Sequence, residues 1–242
     1  MKNISSNKIL AIIPARYGSK SVKNKNMKFL GNKPLIYYTI KQALNSNSFC
    51  NVLVSTDNKT IAEYSKKCGA IVPFLRPKSI SGDVPTEKVL IHAAKWYIKN
   101  VSNIDGITCL QPTSPFRKIS SIKKCVNIFK KKKIFDSVIT FKKVESYRPE
   151  WMFIKKNNFF IPWINKEKKN GKFVLKKNIA RQSYQNLFIP NGSIYIVRTN
   201  TLLKHNMIFG FNVFGVINEE RESLDIDTKV DFEFCKFILK NY

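Results

Sequence analysis

Five apolar residues in a row, Ile9 to Ile13, are stopped by Pro14, and the chain turns basic within two positions of it. The run is too short for a helix core and suits a strand buried on both faces. Proline cannot donate to a sheet ladder, so the strand ends there. The loop that follows carries Arg16, Gly18, Ser19, Lys20, Lys23 and Lys25. A cationic loop at the carboxyl end of a first parallel strand stands where open α/β sheets take phosphorylated ligands. Gly18 lets backbone approach an anion, Ser19 offers a hydroxyl, and the basic side chains neutralise charge. The residues alone leave two readings open, a polyphosphate site and a solvated basic turn. Neither G-x-x-x-x-G-K-[ST] nor G-x-G-x-x-G is present, which excludes an ordinary P-loop and a dinucleotide fingerprint.

Beyond the loop, short apolar runs alternate with amphipathic stretches. Helical spacing marks Pro34 to Asn45, 59–67 (capped by Thr56-Asp57-Asn58 and closed by Gly69), 86–100, and 119–131. Strands are expected at Asn51 to Ser55, Ala70 to Pro73, Gly106 to Leu110, Ser137 to Phe141, Ser193 to Val197 and Phe214 to Ile217. A last helix, from about Asp227 to Leu239, is expected to turn Val230, Phe234, Phe237 and Ile238 inward. This rhythm predicts an α/β fold with a parallel or mixed sheet covered by helices on both faces. Between about Lys142 and Ile189 the rhythm stops, and lysines interleave with Tyr147, Trp151, Phe153, Phe159, Phe160 and Trp163. We read 142–189 as an insertion in a single domain spanning 1–242. Its aromatics suit a small core or subunit interface, with base stacking as the other reading.

Composition narrows the function classes. At 242 residues and 43% hydrophobic, the chain can bury a substantial core, yet no apolar run reaches membrane-spanning length. The polar stretch Met1 to Asn7 leads straight into the first strand, so no signal peptide is expected. Five scattered cysteines without a C-x-x-C suit free thiols in a reducing cytoplasm. His92 and His205 stand far apart, which argues against a His-centred triad or metal cluster. Lys and Arg number 43 against 16 Asp and Glu, a net +27. The lysines are spread throughout, and no nucleic-acid motif accompanies them, so an anionic small substrate is the plainer reading.

The close acidic pair Asp225 and Asp227 has two readings. On an extended segment both carboxylates share a face and suit one Mg²⁺ with phosphate oxygens; otherwise Asp227 caps the last helix. Gln111, just after a central strand, suits either a substrate hydroxyl or a turn. Arg181 suits either a carboxylate clamp or plain surface.

Taken in order, Ile13-Pro-Ala-Arg-x-Gly-Ser-Lys20 with Lys25-Asn26, Val54-Ser-Thr-Asp57, Val72-Pro-Phe-Leu-Arg-Pro77, Leu110-Gln-Pro-Thr-Ser-Pro115 with Arg117, Arg181-Gln182, Asn191-Gly192-x-Ile-Tyr195 and Asp225-Ile-Asp227 resemble the acylneuraminate cytidylyltransferases. These are the CMP-sialic acid synthetases, including CMP-legionaminate and CMP-pseudaminate synthetases. The resemblance spans nearly the whole chain. It implies a Rossmann-like nucleotide-diphospho-sugar transferase fold, mixed and mostly parallel, and a cytoplasmic homodimer joined through the inserted segment. The implied reaction moves CMP from CTP to the anomeric hydroxyl of a nonulosonic acid, releases pyrophosphate, needs Mg²⁺ and serves surface-glycan biosynthesis. By the same resemblance, Arg16, Gly18, Ser19, Lys20, Lys25, Asn26 and Arg76 hold CTP, and the loop Asp83 to Glu87, with Pro85 and Glu87 in it, lines the base. Gln111, Arg181, Gln182, Asn191 and Tyr195 approach the sugar acid, and Asp225 with Asp227 hold the metal. Arg16, Lys25, Gln111 and Arg181 are the implied catalytic set.

The chain also departs from the family pattern. Ser21 and Lys23 stand where Gly and Pro are common, and Tyr17 replaces a frequent glycine. Pro85 and Glu87 stand where small or hydroxyl residues commonly serve cytosine, although a carboxylate can accept from the cytosine amino group. Two alternatives to the implied reaction are cytidylyl transfer to another acidic keto sugar such as Kdo, and a basic polyanion- or nucleic-acid-binding protein.

Overall fold

The computed structural model describes residues 8–19, 21–131, 134–176 and 185–241. Two compact units emerge, one formed by Met1–Phe141 with Pro190–Tyr242 and the other by Lys142–Ile189.

The first unit begins with β1 (Ile9–Pro14), followed by the short strands β2 (Phe29–Leu30) and β3 (Lys33–Pro34) and helix α1 (Leu35–Asn45). Next come β4 (Asn51–Ser55), α2 (Lys59–Lys67), α3 (Thr86–Asn100), β5 (Gly106–Cys109), α4 (Ile119–Lys131) and β6 (Ser137–Lys143). The second unit holds β7 (Phe153–Lys156), β8 (Phe159–Pro162), β9 (Lys166–Lys169) and β10 (Lys172–Leu175). The chain closes with β11 (Phe188–Arg198), α5 (Thr199–His205), β12 (Val213–Ile217) and α6 (Lys229–Asn241).

Among the described residues the main sheet has the order β12-β6-β11-β5-β1-β4. β1 runs parallel to β4 and β5, β12 runs parallel to β6, and β11 runs antiparallel to β5. The fold is therefore mixed α/β, as the alternation predicts. Strand β1 lies inside the sheet, and its period-two alternation feeds two cores. Ala11 and Ile13 pack with Ile36, Ile40, Ile122 and Val126 on one face. Leu10 and Ile12 pack with Leu90, Ala94, Tyr97 and Leu202 on the other. Burying each large apolar side chain contributes roughly 1.5–3 kcal/mol, so two-sided burial makes β1 the anchor of the site.

Two expectations are corrected. Ala70 to Pro73 forms no strand of its own, only the isolated parallel bridge Leu53↔Ile71, with a second one, Thr56↔Leu75, just beyond it. Pro73 cannot donate, which shortens the ladder. Helix α6 turns the other way from its expected phase: Val230, Phe234 and Phe237 are exposed, while Phe232 and Cys235 are buried. The sequence of α6 carries two apolar stripes, and its N-terminal cap settles which one faces in. Thr228 Oγ1 accepts from Asp231 N (3.2 Å), and the Asp231 carboxylate accepts from Thr228 N (2.6 Å). That reciprocal cap lets Phe232 and Cys235 join Val22, Leu30, Leu35 and Ile226 in a third cluster, directly behind the basic loop.

In the second unit, β7 pairs with β8 and β9 with β10, each pair antiparallel. The turn at Asn170-Gly171 has both residues at positive φ (48° and 76°), the conformation that two-residue hairpins favour. Phe159, Phe160 and Trp163 are exposed. Arg148 is buried and donates to Glu150 Oε1 (3.2 Å) and Gln185 O (2.8 Å).

Candidate active site

Ala15 N donates to Ser55 O (2.9 Å), so the ladder between β1 and β4 continues one step past the strand before the basic loop departs. Tyr17 N then donates to Asp57 Oδ1 (2.8 Å), and Asn26 Nδ2 reaches back to Arg16 O (2.8 Å). Val22, 1% exposed in an otherwise polar stretch, pins the middle of the loop to the cluster beneath α6. Asn24 at φ 52° turns the chain into a single 3-10 turn, Lys25–Met27. These contacts fold the loop over a cavity of about 250 Å³ at the carboxyl ends of β1 and β5. Its walls include Arg16, Ser19, Lys25, Asn26, Arg76, Gln111 and Asp227.

Arg76 enters from the segment after α2. Its backbone N donates to Thr56 O (2.7 Å), its Nε donates to Ser55 Oγ (3.2 Å), and its Nη2 bonds Ser55 O. Burial lowers its pKa from the ordinary value, the nearby Asp57 carboxylate opposes that shift, and Arg16 adds to it. Two guanidinium groups that repel across a cleft are relieved by an anion placed between them. In the described structure Arg16 Nη1 instead faces Asp83 Oδ1 at 3.4 Å, a contact exposed to solvent.

The opposite wall is the loop after β5. Leu110 N donates to Ile12 O (3.1 Å), after which Gln111, Pro112 and Thr113 line the cavity. Ile226 N donates to Thr113 O (2.9 Å), and Lys25 Nζ donates to Ile226 O (2.6 Å) with Asp227 Oδ1 at 3.7 Å. The basic loop, the Gln111 loop and the Asp225–Asp227 segment thus meet at one place. Asp227 is not spent on capping α6, a task that Thr228 and Asp231 perform. Ile226, between the two aspartates, is buried. The Asp225 carboxylate lies against Gly192: a Cβ built on that glycine would sit 3.3 Å from Oδ2. Among the described residues no group of three or more His, Cys, Asp or Glu gathers as a metal cage. Mg²⁺ commonly takes only one or two protein carboxylates beside phosphate oxygens and water. Asp225 and Asp227 supply the oxygen donors that chemistry needs, but only Asp227 lines the cavity, with the Lys25 ammonium 3.7 Å from its Oδ1, while Asp225 stands against Gly192.

The other expected site residues are placed differently. Gly18 lies in the loop but not among the cavity's lining residues, and a Cβ there would meet no atom of the described residues within 4 Å. The Tyr17 ring points into solvent, 46% exposed, and does not crowd the loop. Pro85 precedes the first turn of α3 and Glu87 lies within it, but Val84 and Thr86 are the residues that line the cavity. Asn191 is buried and engaged internally: its Oδ1 accepts from Thr140 Oγ1 (2.7 Å), and its Nδ2 donates to Ser223 Oγ (3.0 Å). Tyr195 OH accepts from Gly192 N (3.0 Å). Burial, followed by the nearby Cys109 and Asp225, pushes the Tyr195 phenol up to about 12 despite that bond. Lys20, Arg181 and Gln182 lie outside the described residues. Asp83 and Thr86, within the loop 83–87 expected at the base, line the cavity, as does Thr113, a residue with no role assigned from the sequence. Thr113 sits within the proline-bracketed run 112–115, which was the available signal.

A cleft that gathers cations, a backbone-buttressed loop and two carboxylates can bind a polyphosphate and hold a second substrate beside it. Comparisons with known proteins give the family. A family model described as cytidylyltransferase matches residues 10–238. The chain is 32% identical to the CMP-N,N'-diacetyllegionaminic acid synthase of Legionella pneumophila, covering 96% of this chain and 97% of that one. It is 31% identical to the pseudaminic acid cytidylyltransferase of Campylobacter jejuni, covering 96% and 97%. It is also 30% identical to an N-acylneuraminate cytidylyltransferase of Streptococcus agalactiae over 93% of this chain, and spans about half (52%) of that relative's length. Among solved structures, a CMP:2-keto-3-deoxy-manno-octonic acid synthetase complexed with CTP shares the fold, with a TM-score of 0.69 at 16% identity over 96% of this chain and 98% of that one. A 4-diphosphocytidyl-2C-methyl-D-erythritol synthase does so with a TM-score of 0.64 at 10% identity, covering 97% and 99%. With the family model matched almost end to end and the basic loop facing its acidic counterpart across one cleft, this chain belongs to the cytidylyltransferase family.

Proposed function

We propose that this chain transfers CMP from CTP to the anomeric hydroxyl of a nonulosonic, sialic-type acid and releases pyrophosphate. The observation that carries this reading is the convergence of Arg16, Ser19, Lys25, Arg76, Gln111 and Asp227 on one cleft. The full-length similarity to legionaminic and pseudaminic enzymes supports the choice of acid. Arg16, Ser19, Lys25 and Arg76 bind the triphosphate and spread its charge, and Asn26 holds the loop on which the first three stand. Gln111 orients the sugar hydroxyl in line with the α-phosphorus. The anomeric oxygen bonds to that phosphorus as the bond to the β-phosphate oxygen breaks. Pyrophosphate leaves with the electron pair, and the hydroxyl proton passes to water. Asp225 and Asp227 would hold Mg²⁺, whose chemistry there is further charge neutralisation on phosphate oxygens. The five free thiols fit a reducing, cytoplasmic setting.

Pyrophosphate release from CTP tests the reading. The assay supplies neuraminic, legionaminic and pseudaminic acids and Kdo in turn, each with and without Mg²⁺. Release is expected with at least one nonulosonic acid and only with the metal present. Kdo alone supporting release would move the substrate class. No stimulation by any acid, together with tight, salt-sensitive binding of oligonucleotides, would replace the transferase reading with polyanion binding.

A further inference from the structure

Arg117 is 2% exposed, and its guanidinium bonds three separate pieces of the first unit. Nε donates to Ser193 O in β11 (2.7 Å). Nη1 donates to Thr39 Oγ1 (3.2 Å) and Gln42 Oε1 (3.1 Å) on α1. Nη2 donates to Gln111 O (2.8 Å), the backbone of a residue that lines the cleft. Gln42 Nε2 in turn donates to Pro115 O (2.6 Å), so the loop 111–115 is held at both ends by this one assembly. A buried cation is costly, and no carboxylate hydrogen-bonds this one among the described contacts. Burial takes the group down to about 10, and the Asp225 and Glu222 carboxylates oppose that shift at longer range. A plain core position would be filled more cheaply by an apolar side chain.

We propose that Arg117 is a positioning residue: its buried guanidinium fixes the Gln111–Thr113 wall of the cleft and so sets where the acceptor sugar meets the nucleotide. This rests on the cytidylyl-transfer reading. It assigns Arg117 no contact with substrate. The planar fork is required because four acceptors in three directions cannot be met by a lysine ammonium. Arg117 acts on the acceptor side of the cleft, whereas Arg16 and Arg76 act on the nucleotide side.

The test uses Arg117→Lys, which keeps the buried charge, with Arg117→Met as a second variant that abandons it. In Arg117→Lys, CTP affinity measured by calorimetry is expected to stay within about threefold of wild type. Turnover with the sugar acid is expected to fall roughly 10- to 100-fold, the scale of an ångström-sized misplacement. Amide hydrogen exchange is expected to accelerate in 110–116 and to stay unchanged in β1. A purely structural role predicts a lower melting temperature with normal turnover and normal loop exchange at temperatures well below melting, and that result would overturn the proposal. Exchange can be read whether or not the wild type turns over. A wild type that releases no pyrophosphate defeats the transferase reading, whereas unaltered exchange in 110–116 in both variants defeats the role of Arg117. Should Arg117→Met fail to fold, Arg117→Lys decides alone.

Discussion

Arg16 and Gly192 separate chemistry from architecture at the scale of single residues. Arg16 is tied to the protein by its exposed contact with Asp83, and exposed ion pairs add little to stability. Arg16→Ala is therefore expected to melt within about 2 °C of wild type, while pyrophosphate release drops by about 100-fold or more, as on losing a preorganised charge. Wild-type turnover in that variant would remove Arg16 from the mechanism. Gly192 behaves in the opposite way. It sits at φ +74°, and a Cβ there would stand 3.3 Å from Asp225 Oδ2, close enough that the carboxylate must shift. Gly192→Ala is expected to lose about 1–2 kcal/mol in denaturant titration for its left-handed backbone, and to lose turnover as well because Asp225 is pushed aside. Of the residues lining the cleft, Arg16, Ser19 and Lys25 were legible because charge and glycine in a loop after an apolar run signal phosphate chemistry, whereas Asn26 and Arg76 came only from the family resemblance and the residues alone left Gln111 and Asp227 between two readings. Asn191 was nameable in sequence, but its burial and its bonds to Thr140 and Ser223 were not, since those partners lie far along the chain.

At the scale of elements, two carboxylates hold structure from a distance. Glu222, 4% exposed, accepts from Lys118 N (2.8 Å) and Ser121 Oγ (2.7 Å), so it caps the start of α4 from about a hundred residues away. Glu222→Ala should cost about 1–2 kcal/mol in denaturant titration, comparable to losing a good local cap. Asp136 accepts from Asn212 N (2.8 Å), Phe211 N (2.9 Å) and Thr201 Oγ1 (3.1 Å). Those bonds, led by that from Asn212, hold its pKa below the ordinary 3.8. A depressed carboxylate contributes stability that is complete above 3.8 and is lost as pH falls through the folded-state value. Melting curves of wild type should therefore lose stability as pH drops below about 4, and Asp136→Asn should flatten that acid limb. Helices 59–67, 86–100 and 119–131 could be bounded from periodicity and breakers alone. The phase of α6 could not, because both of its stripes are apolar and the choice rests on the Thr228–Asp231 cap together with the Val22–Leu30–Leu35 cluster it faces.

Across the whole molecule, the net charge of +27 acts mainly on association with anions. Raising NaCl from about 50 to 300 mM should weaken CTP binding several-fold by screening, and a salt-insensitive affinity would show that the surplus charge does not steer the nucleotide. We also propose a homodimer formed through 142–189, where Phe159, Phe160 and Trp163 are exposed. Light scattering should report about twice 28.0 kDa, with Phe160→Ser shifting the mass toward one copy. By itself, the order of residues determined the α/β alternation, the buried first strand and the cationic loop after it, because these depend on local periodicity and on proline and glycine. Tertiary structure alone decided that Lys25 reaches Ile226, that Arg117 clamps Gln111 and that Gly192 abuts Asp225. The first and last of these join positions far apart in the chain, and Arg117, though only six residues from Gln111, is aimed at it by bonds to Ser193 and to Thr39 and Gln42 of α1, so it is the closing of the sheet that brings all three together.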